Sequence, residues 1–307
     1  MRKTCLILGG AGFIGSAVTR QVVADGWRAR VFDRPQAVPA WLKDAADLEW
    51  MPGDFQDPSA LDAALDGVDA VIHLVSTMLP KASNEAPAQD VDTNVVATLR
   101  LLSLMVGRGV RKIVFASSGG TVYGIPKIVP IAEDHPTQPE VSYGITKLMI
   151  EKYLHLYSRL HGLQPVSLRI ANPYGAGQRV DTAQGALAAF LHRGARGEPV
   201  EIWGDGSVTR DYLHVEDVAA AFACALRYDG PHQVFNIGSG RGLSINELAD
   251  AVEEYLGRPL VRRYLPGRSF DVPVSILDNA LARRELQWTP KIALREGLRM
   301  TSPAALA

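Results

Sequence analysis

A tyrosine and a lysine four residues apart could carry acid–base chemistry in this chain. Tyr143 and Lys147 stand in the segment Tyr-Gly-Ile-Thr-Lys, and the apolar spacing around them predicts a helix over residues 142–161. Side chains four apart lie on one face of a helix, so the ammonium group would be near the phenol. A nearby positive charge stabilises phenolate and lowers the pKa of a tyrosine, which can then act as a general base. Such pairs also arise by chance in amphipathic helices, so this pair needs further support.

A glycine-rich turn near residue 10 has the spacing of a dinucleotide-binding loop. Gly9, Gly12 and Gly15 follow a short apolar run, and helical spacing begins at Phe13. Glycines at these places let the backbone turn tightly and approach a pyrophosphate, whose negative charge the free N–H groups of a helix start favour. We therefore predict that this loop, with Phe13 and Ile14, contacts a dinucleotide.

The next apolar run ends in Asp33, eighteen residues after Gly15. An acidic side chain at this place can accept hydrogen bonds from the ribose hydroxyls of adenosine and would repel a 2′-phosphate. Arg34 is the one feature that could favour NADP, but it stands beside an intact aspartate. The sequence therefore predicts NAD, with Asp33 and Arg34 near its adenosine ribose.

Short strands alternate with longer helices around these motifs. Apolar runs typical of buried strands occupy residues 5–8, 29–32, 48–51, 70–74, 113–116 and 166–170. Helical spacing occupies residues 13–24, 59–65, 92–106, 142–161, 215–226 and 245–256. Continuously apolar strands that alternate with helices predict an α/β fold, doubly wound around a mostly parallel sheet of the Rossmann type.

The regular alternation weakens after residue 171, where glycine, proline and loop residues become frequent. We predict that residues 1–171, with about 210–238, form the NAD-binding domain. Residues 172–209 and 239–307 would form a smaller α/β substrate-binding region that closes over the carboxyl edge of the sheet. The tail after Trp288 is expected to lie along the surface.

Composition excludes several functional classes. The 307 residues are 47% hydrophobic and 21% charged, with a formal net charge of −1, so the basic excess expected of a nucleic-acid binder is missing. The sequence contains no run of about 18 apolar residues, so it predicts no membrane span. Cys5 and Cys224 lie in apolar surroundings without a Cys-x-x-Cys partner, which predicts reduced thiols and a cytoplasmic location. The seven histidines show no metal-binding spacing, and we predict no metal.

Taken together, the motifs resemble the extended short-chain dehydrogenase/reductase family. Within it, they are similar to the UDP-galactose 4-epimerase-like enzymes of the NAD-dependent epimerase/dehydratase family. The resemblance spans nearly the whole chain and is carried by residues 9–15, 53–54, 94, 117–124, 143–147, 168–173, 210–219 and 236–238. This combination is far more specific than a glycine turn or a Tyr-x-x-x-Lys pair alone.

The resemblance implies an NAD-dependent inversion at C4 of a nucleotide-bound hexose through a 4-keto sugar. Tyr143 would take the proton of the 4-hydroxyl group, and Lys147 would hold the nicotinamide ribose and tune Tyr143. The resemblance also implies cofactor contacts for Asp54, Phe55, Leu74, Val75, Asn94 and Ser117.

One position departs from the family pattern. The family usually has a serine or threonine four residues before the tyrosine of its Val-Tyr-Gly motif, and this chain has Gly119. The hydroxyl that polarises the sugar O4 would then come from Ser118, Thr121 or water, or would be absent. Gly119 and Gly120 also offer no acid or base, which argues against the dehydratase and decarboxylase reactions of related enzymes.

The resemblance implies a UDP-sugar site in the second half of the chain. Two guanidinium groups suit the oxygens of a diphosphate, because each presents several N–H donors. The implied substrate contacts are Arg210 and Arg268 at the diphosphate, Asn172, Gln184 and Gly185 beside it, Asp271 at the ribose and Trp203 at the nucleobase.

Ser275 bears on the choice of sugar. Some family members have a bulky tyrosine at this position, beside C2 of the sugar, so a serine would leave room for an N-acetyl group. We predict that UDP-GlcNAc/UDP-GalNAc is accepted as well as UDP-Glc/UDP-Gal, and that the protein is a homodimer through the helices near residues 92–106 and 142–161. Two alternatives stay open: an NAD(P)H-dependent nucleotide-sugar 4-ketoreductase and a non-catalytic dinucleotide-binding protein.

Overall fold

The computed structural model describes residues 2–34, 47–178, 185–268 and 272–301. The strands in this part of the chain are β1 (Thr4–Leu8), β2 (Arg28–Asp33), β3 (Leu48–Pro52), β4 (Ala70–His73), β5 (Lys112–Ser118), β6 (Gln164–Ile170), β7 (Asn172–Tyr174), β8 (Val200–Trp203), β9 (Thr209–His214), β10 (Val234–Ile237), β11 (Gly242–Ser244), β12 (Arg262–Leu265) and β13 (Val274–Ser275).

The helices of the described residues are α1 (Phe13–Ala24), α2 (Pro58–Ala64), α3 (Pro80–Glu85), α4 (Pro87–Asp90), α5 (Ala97–Gly107), α6 (Ser142–His161), α7 (Ala186–Arg196), α8 (Val215–Arg227), α9 (Ile245–Leu256), α10 (Ala280–Glu285) and α11 (Leu294–Met300). A π-helical turn, Val91–Val96, joins α4 to α5. None of the described helices combines the length and the apolar character that a membrane crossing requires.

Seven parallel strands form the central sheet, in the order β3-β2-β1-β4-β5-β6-β10. Alternate residues of β1 face two different cores. Ile7 packs into a core with α1 and α8, whereas Leu6 and Leu8 pack into a second core with α2, α5 and α6. Because both faces are covered, most of the residues that the strands bury are apolar, and the predicted doubly wound α/β fold is confirmed.

Two small sheets lie outside the central one. Strand β9 pairs with β7, β11 and β13, and β8 pairs with β12. A third core is formed by residues of α7, α9, α11 and β8. Thus β9 belongs to a small sheet. The two elements that follow it belong to the central sheet, since α8 packs on that sheet and β10 joins it.

The predicted helix over residues 142–161 is confirmed. Its apolar residues Ile150 and Leu154 are four apart and pack into the second core. The helix ends where Gly162 adopts a positive φ of 69°, a conformation that glycine adopts without steric cost. This helix therefore holds Tyr143 and Lys147 at a fixed place beside β5.

Two expectations about local structure are met only in part. The helix expected over residues 92–106 begins as the π-helical turn and becomes α-helical at Ala97. The tail after Trp288 does not merely lie along the surface. Trp288 is 2% exposed and its indole N–H donates to the carbonyl of Asp217, and Leu298 of α11 is 1% exposed in the third core. The described tail residues 289–301 are mostly exposed or half-buried, and α11 anchors them to this core through Leu298.

Candidate active site

The residues predicted to bind the cofactor and to transfer protons meet at the carboxyl edge of the central sheet. β1 lies between β2 and β4, so the chain winds in opposite directions on the two sides of β1. Such a switch point opens a crevice outside the strand ends, where ligands bind in folds of this type. The glycine turn follows β1, Asp33 ends β2, Leu74 follows β4 and Ser118 ends β5.

The glycine turn is shaped as a cradle for an anion. Gly9 has a φ of +81°, and a Cβ atom on Gly15 would overlap the carbonyl oxygen of Gly9. Among the described residues, no side chain caps the start of α1, and its first turn holds no acidic residue. The N–H groups at this helix start are therefore open to a phosphate, which fits the predicted dinucleotide.

We expect Gly15→Ala to destroy the cofactor cradle, because the added methyl group meets backbone atoms that cannot rotate away. The purified variant should retain much less NAD than the wild type, as measured by absorbance of the nucleotide released on denaturation. Gly107→Ala is the matched control, since a Cβ atom there meets nothing within 4 Å. Equal NAD retention by the two variants would contradict this interpretation of the turn.

Asp33 lies against the glycine turn. Its Oδ2 accepts a hydrogen bond from the backbone N–H of Ala11 at 3.0 Å, and its Oδ1 accepts one from the N–H of Arg34 at 2.8 Å. Each carboxylate oxygen has further lone pairs, so ribose hydroxyls can still bind there. The side chain of Arg34 is exposed.

Tyr143 and Lys147 lie together at the end of β5. The Nζ atom of Lys147 is 5.5 Å from the ring centroid of Tyr143 and 4.9 Å from that of Phe115. Lys147 is only 4% exposed, and one of its three N–H bonds goes to the carbonyl of Ala116 at 2.9 Å. Within the described residues no acceptor is recorded for the other two, which fits an ammonium group that binds the hydroxyls of a cofactor ribose.

Burial governs the titration of both groups. It lowers the pKa of Lys147 to about 8, against the opposing negative charges of Asp90 and Glu151. It raises the pKa of Tyr143 to about 12, although a hydrogen bond with Ser76 acts in the opposite direction. The lowering of the Tyr143 pKa that the Tyr-x-x-x-Lys spacing predicts is therefore not achieved by the chain alone, because burial raises this pKa.

The loop after β4 packs directly on the glycine turn. A Cβ atom on Gly9 would lie 3.3 Å from the backbone nitrogen of Val75 and 3.4 Å from the carbonyl carbon of Leu74. Asn94 is 6% exposed, and its Oδ1 accepts from the N–H of Thr77 at 3.0 Å. Leu74, Val75 and Asn94 thus border the same crevice from one side.

The two cofactor candidates after β3 have different surroundings. Asp54 is exposed, and its Oδ1 accepts a hydrogen bond from the N–H of Gln56 at 2.8 Å. Phe55 is 5% exposed, and its ring centroid lies 4.8 Å from that of His73. The Asp54 carboxylate is therefore open to an approaching ligand, whereas the Phe55 ring is part of the core.

The segment after β5 explains the glycine at position 119. A Cβ atom on Gly119 would overlap Cδ1 of Leu277, a fully buried side chain from the second half of the chain. Leu277 thus fills the space that a serine or threonine side chain would need. Thr121 has a buried hydroxyl that finds no hydrogen-bond partner among the described residues, and Ser118 is half-buried.

Ser117 belongs to a buried network that sequence reasoning missed. Its hydroxyl donates to Glu151, whose Oε2 lies 2.7 Å from Nη2 of Arg169. Arg169 also donates to the hydroxyl of Tyr123 at 2.8 Å, which in turn donates to Asn236 at 2.7 Å. The side chains of Arg169 and Glu151 are only 5% and 3% exposed. An arginine inside the apolar run of a predicted central strand was the available signal, since such a charge requires a buried partner.

The two arginines among the substrate candidates make different contacts. Arg210 donates from Nη1 to the carbonyl of Val272 at 2.6 Å, and β9 pairs Arg210 with Ser275. The guanidinium carbon of Arg268 lies 4.0 Å from the ring centroid of Trp203, which is 39% exposed.

The other substrate candidates are backbone or polar positions. Asn172 donates to the carbonyl of Asp211 at 3.3 Å. Gly185 precedes α7 with a φ of +95°. Gln184 and Asp271 lie outside the described residues. In the part of the chain that is described, no group of three His, Cys, Asp or Glu side chains could hold a metal ion.

Comparison with known proteins agrees with this geometry. Residues 5–238 match the NAD dependent epimerase/dehydratase family. The chain is 36% identical over 306 residues to a UDP-glucose 4-epimerase of Mycolicibacterium smegmatis, with 96% of both chains covered. It is 35% identical over 302 residues to a dTDP-4-dehydro-6-deoxyglucose reductase of Escherichia coli, covering 95% of this chain and 94% of the relative.

A similar solved structure is that of a UDP-glucose 4-epimerase of Thermotoga maritima with UDP-glucose. The two chains are 36% identical and superpose with a TM-score of 0.90 over 97% of each. Similarity of this extent covers the central sheet and the smaller sheets alike.

Proposed function

Because this chain belongs to the NAD-dependent epimerase/dehydratase family, we propose that it inverts C4 of a UDP-hexose as a nucleotide-sugar 4-epimerase. The family is NAD-dependent, so the predicted cofactor is confirmed. The observation that carries the proposal is the Tyr143–Lys147 pair, which lies at the same sheet edge as the open glycine cradle. The nearby Gly119 and Gly120 supply no acid or base for a dehydration.

In the proposed reaction, Tyr143 takes the proton of the sugar 4-hydroxyl and later returns it. Lys147 holds a cofactor ribose with the two N–H bonds that its contact with Ala116 leaves over. When bound, NAD+ supplies the acceptor for the C4 hydride and a positive ring that favours the Tyr143 phenolate. The hydroxyl of Thr121 or Ser118 donates a hydrogen bond to the sugar O4. The buried position of Lys147 keeps water from competing for its hydrogen bonds.

We propose that the UDP group is held by Arg210, Arg268 and Trp203. A guanidinium group stacked on an indole ring, as Arg268 is on Trp203, keeps its N–H edge available for phosphate oxygens. Asn172, Gln184, Gly185 and Asp271 complete the proposed contacts. A tight hold on the unreactive nucleotide lets the keto sugar turn between the two hydride transfers, so binding energy supports the chemistry.

A second candidate function is the reduction of a nucleotide-linked 4-keto sugar. It is favoured by the 35% identity to the dTDP-4-dehydro-6-deoxyglucose reductase. The same Tyr143 would then donate a proton to the keto oxygen instead of removing one. The two functions differ in whether the cofactor stays bound and is regenerated in each cycle.

Proton NMR of the purified protein with UDP-glucose, and then with UDP-GlcNAc, tests the proposal without added cofactor. New anomeric signals of the C4 epimer, formed by protein that carries NAD, are the expected result. No turnover of either sugar, together with NAD(P)H-dependent consumption of a nucleotide-linked 4-keto sugar, would overturn it in favour of the reductase. Absence of bound dinucleotide and of both activities would overturn the enzymatic reading altogether.

We propose that Ser275 sets the size of the accepted sugar. Ser275 and Leu277 are alternate residues of one extended segment, so their side chains share a face, and Leu277 abuts Gly119. A tyrosine at position 275 would fill the space beside the sugar C2. We expect Ser275→Tyr to lower the turnover of UDP-GlcNAc by about tenfold or more while UDP-glucose is still converted.

NMR rates with both sugars measure this effect, and Ser275→Ala is the matched control that should keep both activities. An equal loss of both activities in Ser275→Tyr would reject the steric role.

We also propose a homodimer through α5 and α6. Leu156 and Leu160, four residues apart on α6, are 43% and 65% exposed, and Val106 of α5 is 36% exposed. Sedimentation equilibrium should give twice the mass of one chain.

Cys5 and Cys224 are both free thiols, in keeping with the proposed cytoplasmic location.

A further inference from the structure

A buried carboxylate joins two segments that border the candidate site. Asp90 ends α4 and is fully buried. Its Oδ1 accepts a hydrogen bond from Nδ2 of Asn94 at 2.8 Å, and its Oδ2 accepts one from the hydroxyl of Ser142 at 2.9 Å. The hydroxyl of Thr146 lies 3.3 Å from the same Oδ2. Asp90 therefore ties the π-helical turn to the first turn of α6, which carries Tyr143.

Asn94 extends this network to the loop after β4. Its Nδ2 donates to the hydroxyl of Thr77 at 2.8 Å, and its Oδ1 accepts from the N–H of the same residue. Ser76, the neighbour of Thr77, is the hydroxyl that hydrogen-bonds with Tyr143. Widened helical turns of this type often occur at functional sites, because they redirect a side chain. Here the turn points Asn94 at both Asp90 and the loop.

Charged and titratable groups face Lys147 from several elements. Tyr143 and Glu151 lie on α6, His73 on β4, and Asp90 on α4. Burial lowers the pKa of His73 to about 3, so this side chain is neutral.

Two carboxylates therefore face the ammonium group, and they differ in their partners. Glu151 forms an ion pair with Arg169 of β6. Asp90 has no ion-pair partner within the described residues, and its hydrogen-bond donors are neutral. The negative charge of Asp90 thus acts on Lys147 without a neutralising arginine beside it.

The same charge acts on both members of the pair. It opposes the burial that lowers the pKa of Lys147, and it adds to the burial that raises the pKa of Tyr143. Removing it should therefore lower the pKa of both groups, because a cation loses support and a phenolate loses a repulsive neighbour.

We propose that Asp90 is a positioning residue of the candidate site, which fixes the loop after β4 against the first turn of α6 and supplies the negative charge that balances the buried Lys147 ammonium. Its effect on turnover rests on the proposed function, whereas its effect on the two side chains does not.

Asp90→Asn tests this role, because the amide keeps the shape and an acceptor but removes the charge. We expect NMR titrations of ¹³C-labelled lysine and tyrosine side chains to show both groups titrating lower, by about one pH unit. The active form has Tyr143 as phenolate and Lys147 as ammonium, so the two limbs of the pH profile of turnover report the two pKa values of this pair. Both limbs of the pH profile should therefore move to lower pH together.

Asp92→Asn is the matched control, since Asp92 lies in the same π-helical turn but is exposed. This variant should leave both titrations in place. Unmoved titrations in Asp90→Asn would overturn the proposal, even if activity fell at every pH.

The wild-type protein supplies a measurement that does not depend on the variant folding. A Lys147 side chain that is already neutral at pH 7 would overturn the proposal as well. Shifted titrations in a protein that converts no UDP-sugar would support the role of Asp90 and reject the proposed reaction, so the two failures are distinguishable.

Discussion

Tyr143→Phe should lower turnover of the nucleotide sugar by about 10²–10⁴-fold, the usual contribution of a positioned general base. The substitution removes only the hydroxyl that exchanges the proton with the sugar. Lys147 keeps its hydrogen bond to Ala116, and the glycine cradle is untouched. The variant should therefore retain NAD at the wild-type level. Turnover is measured by NMR, and NAD is quantified after denaturation.

Tyr157→Phe is the matched control for this prediction. Tyr157 also lies on α6, but its hydroxyl contacts only Ser103, at 3.0 Å, among the described residues. The same atomic deletion there should leave turnover nearly unchanged. Wild-type turnover in Tyr143→Phe would rule out the proposed base, and loss of NAD from that variant would mean that the phenol holds the cofactor instead.

Glu151→Ala should lower the free energy of unfolding by about 3–5 kcal/mol, the typical effect of removing one partner of a buried ion pair. The guanidinium of Arg169 would be left without its anion in a site where it is 5% exposed. The hydroxyl of Ser117 would lose its acceptor at the same time. Urea denaturation followed by circular dichroism measures the change.

Two further variants show whether the loss of stability comes from burial of the charge or from the ion pair itself. Asp62→Ala breaks the pair between Asp62 and Arg108, whose side chains are 41% and 36% exposed, and should cost far less because water already screens it. The double variant Glu151→Met/Arg169→Met should be more stable than Glu151→Ala, since no charge is left unpaired. Equal losses in Glu151→Ala and Asp62→Ala would contradict the assigned importance of the network.

Much of the central fold follows from local patterns. The strand positions were predictable because residues buried on both faces of a sheet must be apolar in unbroken runs, as in residues 5–8. α6 was predictable because its apolar residues recur every three or four positions until Gly162 ends it. β10 was missed, because the polar Asn236 interrupts its short apolar run.

The residue types and spacings for cofactor binding and proton transfer could also be recognised in the sequence. A glycine turn between a strand and a helix has a local cause, and so has a tyrosine one helical turn from a lysine. These features depend on backbone geometry within a few residues. The sequence by itself therefore determined the fold class, the NAD dependence and the residues proposed for proton transfer.

Only the tertiary structure decided the surroundings that control these residues. Leu277 fills the space beside Gly119, Arg169 neutralises Glu151, and Asp90 reaches Ser142. The direction of the Tyr143 pKa shift also came from packing, since burial raises this pKa and the negative charge of Asp90 adds to the rise. These contacts join residues far apart in the chain, and desolvation depends on everything packed around a group, so no local spacing encodes them.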